Sequence, residues 1–419
     1  MAEDVFEALE KLLQSGDPAS TFDFLIHRYR ETGDYRSLFE ARLMSKRLEL
    51  GLPVYQLRDL SALPSEIQAA YGQVVTEVAR EVGELFLADG EIANAWPYLR
   101  ATGDSARVAA AIETVEPGDN TDPIIEIAFQ EGVHPAKGLE LILKKYGICQ
   151  ALSALGMSPV EKDREKCIGL LARDIHREIV DRICKAIEQE EGTRPEATSI
   201  AELAAGRDWL FGEYSSYVDT SHLVSILQYC PDLSDPGLLR LFHDLCEYGK
   251  RLSPQFRVQG QPPCEDVYAD YDQYAQALLG TEVENHLDHF RRKLADSDPS
   301  RVGTLPAQLL VKLLVRLHTN EEPRYEEALA VALAHFPGEP SNQLNCPAAM
   351  ELCHMAREFD RMKQLARERG DLLSYAAAAL AVLVAPAILS PVRSPAARPP
   401  ALPPTTVRAN PRNSTPDRT

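Results

Sequence analysis

The residues best suited to metal chemistry lie in the middle of the chain, around LFHDLCEYGK. This segment places His243 and Cys246 three positions apart on a predicted helix, so that both side chains lie on one face. Imidazole and thiolate groups are common zinc ligands, and His222, at the start of another predicted helix, could supply a third. None of these residues has the spacing of a recognised zinc motif, and the same side chains could fill a helical core. The sequence leaves both interpretations open.

A second pair of histidines follows in EVENHLDHFRRKL. His286 and His289 are three residues apart and Glu282 precedes His286 by four, which would place the three side by side on a helix. Two solvated histidines on an acidic helix explain the pattern equally well.

Together, the two groups of residues define one hypothesis for the function. It is a helical domain that binds a ligand or a metal, and that could be an enzyme, with a pocket around residues 213–290.

Three tyrosines form a further candidate site. EDVYADYDQYAQALLG places Tyr268, Tyr271 and Tyr274 at three-residue steps among acidic side chains. Such an aromatic ridge could bind a basic peptide. Tyrosines in this pattern also occur as half-buried packing residues whose hydroxyl groups reach water.

Local catalytic motifs are missing from the sequence. The chain contains no GxxxxGK phosphate loop, no GxSxG motif and no HExxH motif, so we predict no cofactor and no catalytic residue. Acid–base pairs assembled from distant helices would leave no such trace, and an enzyme is therefore not excluded. The net charge of −19, from 63 acidic and 44 basic side chains, would repel a phosphate backbone. Nucleic acid is not an expected partner.

The cysteines and the first residues of the chain indicate the cellular compartment in which the protein is expected. Eight cysteines are scattered without a C-x-x-C pair, which favours buried thiols in a reducing cytoplasm over a disulfide framework. The opening segment, MAEDVFEALEKLLQSGDP, has acidic residues where a secretory signal needs a basic region. We therefore predict a cytoplasmic protein.

The apolar pattern predicts an all-α fold. Apolar residues recur every three or four positions in nearly every segment, which indicates roughly eighteen helices and no convincing pair of strands. One helix is expected to begin at Pro159, with Ser158 and Glu161 at capping-box spacing. Another is expected to begin just after Asp235, which would cap it. Residues 249–265 show no helical period of apolar residues and contain several prolines, which predicts an irregular connection.

The predicted helices fall into three regions and a tail. We expect an N-terminal helical-repeat region (1–156), a central helical region (157–300) and a C-terminal helical-repeat region (301–389). Residues 390–419 are rich in proline and arginine and lack an apolar face. Because they cannot bury enough apolar surface to offset the entropy of ordering, this tail is predicted to be disordered.

Two segments of the chain match without a gap when Ile92 is placed opposite Phe359. Gly103–Asp104 then falls opposite Gly370–Asp371, and a shorter echo of the pattern begins at Gly33. In both segments the glycine is expected to end one helix in the left-handed conformation, and the aspartate to cap the next.

The best-defined helix pair is VGELFLADGEIANAWPYLR. Gly83, Phe86, Gly90, Ala95 and Leu99 have spacings that resemble those of tetratricopeptide repeats. This resemblance implies an array of antiparallel helix pairs, similar to an α-solenoid. It also implies a non-catalytic scaffold whose concave face binds a protein or peptide partner.

The stretch from Leu372 to Leu389 has no charged residue over eighteen positions, which just meets the length of a membrane span. The matching segment after Asp104, however, carries Arg107 and Glu113. Seven of the eighteen residues are alanine, which contributes little insertion energy. We therefore predict a packed repeat helix and no membrane partner.

Overall fold

The computed structural model describes residues 5–55, 63–159, 161–262, 264–319 and 322–388. These residues form 21 α-helices and one pair of two-residue strands, which confirms the predicted all-α class. The chain divides into two compact units, residues 1–324 and 325–419. The region boundaries predicted near residues 156 and 300 lie inside the first unit and stay predictions. The tail predicted to be disordered, 390–419, lies outside the described residues.

The first unit is built of helices α1 to α17, whose lengths range from one turn to seven or more. The α-helices are α1 (Val5–Gln14), α2 (Pro18–Thr32), α3 (Tyr35–Glu49), α4 (Ser65–Ala88), α5 (Ile92–Thr102), α6 (Ser105–Glu113), α7 (Asp122–Ile125), α8 (Pro135–Tyr146), α9 (Ile148–Met157), α10 (Arg164–Glu191), α11 (Ile200–Ala204), α12 (Thr220–Leu227), α13 (Pro236–Arg251), α14 (Val267–Leu278), α15 (Val283–Asp296), α16 (Pro299–Val302) and α17 (Leu305–Leu314). A π-helical segment, Glu126–Gln130, continues α7, and 3₁₀ turns form at Asp208–Phe211 and Cys230–Asp232. Strands β1 (His318–Thr319) and β2 (Glu322–Pro323) pair antiparallel.

The second unit contains four α-helices among its described residues. They are α18 (Tyr325–His335), α19 (Ala349–Met355), α20 (Phe359–Arg369) and α21 (Leu372–Ile388), with a 3₁₀ turn at Ser341–Gln343.

One short turn joins consecutive helices at several places in the chain. A residue with positive φ is followed by a single residue, and the next helix then begins. Gly33 precedes α3 in this way, Gly90 precedes α5 and Arg357 precedes α20. This conformation costs a non-glycine residue about 1–2 kcal/mol, and Arg357 adopts it with φ 59°. The turn is therefore kept even where the sequence has no glycine.

The internal repeat is reproduced in the lengths and ends of two helices. α5 and α20 each contain eleven residues, and Gly103 and Gly370 end them with φ of 74° and 69°. These glycine caps are confirmed. Asp371 accepts a backbone N–H in the first turn of α21 at 3.0 Å, whereas Asp104 makes no such bond and pairs with Arg107 at 2.8 Å. The capping role predicted for Asp104 is therefore wrong.

Helices α4 and α5 approach closely because a glycine lies at their contact. A Cβ atom added at Gly83 would stand 2.5 Å from Cγ of Leu99. Ala95 and Leu99 have no exposed surface, and Phe86 is 4% exposed. Of the residues whose spacing resembles a tetratricopeptide repeat, Phe86, Ala95 and Leu99 thus lie in the core of the first unit, and Gly90 is exposed in the turn between the two helices.

Helix α10 begins at Arg164, five residues later than predicted. Asp163, just before it, has φ 56°, and a helical path cannot pass through a residue in that conformation. The start predicted at Pro159, with a capping box at Ser158 and Glu161, is therefore wrong.

Helix α13 begins as predicted, with Asp235 accepting a backbone N–H of its first turn at 2.7 Å. It continues to Arg251, so the irregular connection predicted to begin at residue 249 begins three residues later. Gly249 lies inside the helix, where it permits the close approach of α14 instead of breaking the helix. A Cβ atom at this position would stand 2.5 Å from Cγ of Tyr268.

The uncharged segment near the end of the described chain is helix α21, which packs against α20. Ala378 is 1% exposed, whereas Ala376 and Ala377 are exposed. Ala378 therefore lies on the packed side of α21, and Ala376 and Ala377 lie on its solvent side. Among the described residues, no helix is long and apolar enough to cross a membrane.

This difference between adjacent alanines gives a matched pair of variants. Ala378→Glu would bury an unpaired carboxylate against α20, and we expect it to lower the free energy of unfolding by about 2–4 kcal/mol. Ala377→Glu adds the same charge to an exposed position and should change that free energy by about 0.5 kcal/mol or less. Urea unfolding of both proteins checks the prediction, and equal destabilisation would contradict the packing described for α21.

Candidate functional site

One cluster of ionisable residues lies where α13 meets α14. His243, Glu247 and Lys250 follow one another on α13 at intervals of four and three residues, which places them on one face of the helix. Other side chains of α13, among them Phe242, are buried and hold the helix in place. Asp272 enters the cluster from α14.

The carboxylate of Asp272 is the centre of this cluster and is 2% exposed. His243 donates from Nδ1 to Oδ1 at 2.5 Å. Lys250 Nζ and Gln276 Nε2 both donate to Oδ2, each at 2.9 Å. Lys250 also forms an ion pair with Glu247. Because its donors include two basic groups, the buried charge of Asp272 is compensated.

The members of the cluster stabilise one another's charged forms. The hydrogen bond to Asp272 raises the pKa of His243 above its ordinary value, against the opposing effect of burial. Burial by itself would raise the pKa of Asp272, but the hydrogen bonds from His243 and Lys250 outweigh it and the pKa is lowered. Burial would lower the pKa of Lys250, but its bonds to Glu247 and Asp272 leave that pKa raised.

The same cluster is the best candidate for a metal centre. His243, Glu247 and Asp272 each offer one atom that can bind a metal, and these three atoms all lie within 4.8 Å of one another. Among the residues that the structure describes, no other group of three or more histidine, cysteine or acidic side chains meets this condition. An imidazole and two carboxylates would suit zinc or ferrous iron. The ammonium group of Lys250, however, already contacts both carboxylates, and a metal ion would have to displace it. The donor set therefore favours an internal ion-pair network over a metal centre.

A second cluster, also made of a buried aspartate, a histidine and a lysine, lies where α14 meets α15. Asp270 is 2% exposed, and its Oδ1 lies 2.8 Å from His289 Nε2 and 3.1 Å from Lys293 Nζ. His286 contacts Gln273 instead, with 2.6 Å between Nδ1 and Oε1, and burial lowers its pKa. His286 and His289 thus have separate partners, and the structure does not bring them together as metal ligands.

The zinc ligands considered around His243 are also separated. Cys246 is fully buried, and burial raises the pKa of its thiol well above the ordinary value, so it is a neutral core side chain. His222 lies on α12, where its Nε2 is 2.9 Å from Sγ of Cys149. The structure therefore does not assemble His222, His243 and Cys246 into one site.

The three tyrosines predicted as a peptide-binding ridge lie mostly inside the protein. Tyr268 is 1% exposed and Tyr274 is fully buried. Tyr271 is half-buried, and burial raises the pKa of its hydroxyl. Tyr274 packs edge-on against Phe290 with ring centroids 5.6 Å apart. Of the two interpretations that the sequence left open, this burial favours packing residues, because the rings fill space between helices.

The residues that complete these clusters are the ones that sequence patterns missed. Asp272 is one of several acids among the tyrosines, and no local motif links it to His243, 29 residues earlier. The local signal that could have been used is the spacing of His243, Glu247 and Lys250 on a single helix face. Cys149 and His222, 73 residues apart, leave no local signal at all.

Comparison with known proteins gives no relative for this chain. No family model, no curated protein and no solved structure matches it. The fold and the geometry described above are therefore the basis of the functional proposal.

The ion pair between His243 and Asp272 predicts a pH-dependent contribution to stability. Because the folded pKa of His243 is raised above the unfolded value of about 6.5, its contribution is full below that pH and is lost as pH rises through the folded pKa. The side chain of His243 is 40% exposed, so solvent screens the pair. We expect His243→Gln to lower the free energy of unfolding by about 1 kcal/mol or less near pH 6, and by less at pH 9.

Urea unfolding of both proteins between pH 5.5 and 9 measures this difference. Asp272, whose pKa is lowered, and Lys250, whose pKa is raised, interact with His243 and keep their charges over this range. The titration of His286, whose pKa is lowered, is common to both proteins and cancels in the difference. The same difference at every pH would show that His243 carries no stabilising charge.

Proposed function

We propose that the chain is a non-catalytic scaffold of helix pairs that binds a partner protein, and that the partner docks on an apolar face of α21. The observation that carries this proposal is a set of apolar side chains left exposed on that helix. The antiparallel, tetratricopeptide-like arrangement of the pairs belongs to the same proposal. It is supported by the recurring positive-φ turn and by the close contact of Gly83 with Leu99.

The docking face lies on the side of α21 away from the buried Ala378. It consists of Leu372, Leu373, Ala376, Ala377 and Leu380, whose spacing places them on one side of a helix. The three leucines are 84%, 81% and 57% exposed in chain order. Burying a leucine side chain contributes about 1.5–3 kcal/mol. A contiguous apolar face of this kind is typical of a binding surface.

The internal repeat supplies a comparison within the same chain. In the alignment of Ile92 with Phe359, α6 falls opposite α21. The three exposed leucines of the docking face then correspond to exposed residues of α6, namely Ser105, Ala106 and Glu113. The face of α6 thus has no leucine and has a serine and a glutamate at two of these three positions, whereas the face of α21 is apolar throughout. Packing of the helix pair does not require leucine there, which supports a separate role in binding.

The shape of the docking face favours an α-helix of the partner as the part that binds. Ala376 and Ala377 lie among the three leucines, so a helix could approach closely at the alanines while the leucines enclose it. From Leu372 to Leu380 the face is about 12 Å long. Two to three turns of an amphipathic helix would cover it.

The residues of α6 provide the test variant. Leu372→Ser, Leu373→Ala and Leu380→Glu together give α21 the face that α6 has. Because all three positions are exposed, we expect each change to alter the free energy of unfolding by about 0.5 kcal/mol or less. Binding of a partner protein should weaken by about tenfold or more, as expected when apolar anchors are removed.

The measurement has two stages. Crosslinking and quantitative mass spectrometry compare the proteins captured by the parent chain and by the α6-like variant, and calorimetry then measures the affinity of each purified candidate. A control variant, Arg361→Ala with Glu368→Ala, changes exposed residues on α20 and should bind like the parent. Equal affinity of the parent and the α6-like variant would contradict the proposal. So would liposome flotation or dimer formation that the variant abolishes, because the face would then cover lipid or a second copy.

A further inference from the structure

Cys149 differs from the other cysteines of the chain in its exposure. Of the eight, Cys149 is exposed, Cys264 is partly exposed and the rest are buried. Burial raises the pKa of Cys264 to about 12 and that of Cys167 to about 11, so these thiols stay protonated near neutral pH. A thiol reacts as its thiolate. Cys149 is therefore the thiol that solvent-borne reagents can reach.

Two features of the structure lie next to the sulfur of Cys149. It is the second residue of α9, a ten-residue helix whose first-turn N–H groups and dipole favour an anion. Independently, Nε2 of His222 lies 2.9 Å from Sγ of Cys149 and can hold the thiol proton. A positioned imidazole next to a thiol is the arrangement that activates sulfur nucleophiles.

Helix α12 holds His222 in this position. Asp219 caps the helix by accepting the backbone N–H of Ser221 at 2.9 Å, and Leu223, Ile226 and Leu227 of α12 are buried. α12 packs against α9, which carries Cys149. Asp219 also interacts electrostatically with His222. The pair is therefore set by two packed helices and not by flexible loops.

We propose that His222 is the base for the thiol of Cys149, and that Cys149 is a site of covalent modification by small soft electrophiles. As the sulfur attacks, the thiol proton passes to Nε2 of His222. With an alkyl halide, the sulfur forms a bond to carbon while the carbon–halogen bond breaks, and the halide leaves with that electron pair. The imidazolium then releases its proton to water. No oxidant or reductant is needed, and the site is independent of the docking face.

Alkylation by iodoacetamide tests the pair directly. The rate of carbamidomethylation at residue 149 is followed by mass spectrometry between pH 5.5 and 9.5 in the full chain and in His222→Gln. We expect the parent to react faster than both His222→Gln and free cysteine near neutral pH, and the difference to shrink toward pH 9.5. At pH 7 the parent should react about threefold faster than His222→Gln, because the imidazole accepts the thiol proton as the sulfur attacks.

The controls separate the two possible sources of activation. Cys149→Ser should abolish the fast phase, and Cys264 should stay unmodified in the same samples. A parent that reacts at pH 7 no faster than free cysteine would make Cys149 an ordinary surface thiol and overturn the proposal. Equally fast reaction of the parent and His222→Gln would show that the helix terminus alone activates the thiol, and would overturn the role of His222. His222→Asn serves as the second variant, and circular dichroism establishes that each protein is folded.

Discussion

The close approach of α13 and α14 at Gly249 is the contact on which the central part of the molecule depends. A side chain at this position would overlap the ring of Tyr268, which is 1% exposed and cannot easily move away. Tyr268 and Asp272 lie one helical turn apart on α14. Seating the tyrosine against the glycine therefore also brings the carboxylate of Asp272 to His243 and Lys250. The ion pairs exist because the backbones can come this close.

The two buried carboxylates of α14 then fix the rotation of that helix. Asp270 and Asp272 are two residues apart, so they point in nearly opposite directions. Each meets one histidine and one lysine, from α15 in the first case and from α13 in the second. Rotation of α14 would leave a buried carboxylate without its partners, which costs several kcal/mol. The histidines and carboxylates of α13, α14 and α15 that looked suited to metal chemistry are thus engaged in internal pairs.

Local features of this chain could be predicted from the sequence, whereas pairings between distant residues could not. The helical period predicted the all-α class, and the glycine–aspartate pairs predicted the helix ends at Gly103 and Gly370, because these depend on a few neighbouring residues. Gly249 has the pattern of a helix breaker, and only the position of the next helix shows that it is a packing residue. Cys149 and His222 meet through the packing of α9 and α12, which no local pattern encodes.

The dependence of the central ion pairs on Gly249 can be measured by NMR titration of the His243 imidazole in the parent chain and in Gly249→Ala. The added methyl group should displace Tyr268 and α14, lower the free energy of unfolding by about 1–3 kcal/mol, and separate Asp272 from His243. We predict that the pKa of His243 is raised above about 6.5 in the parent and returns toward that value in the folded variant. An equally raised pKa in both proteins would contradict the account, because the ion pair would then form without the close approach at Gly249.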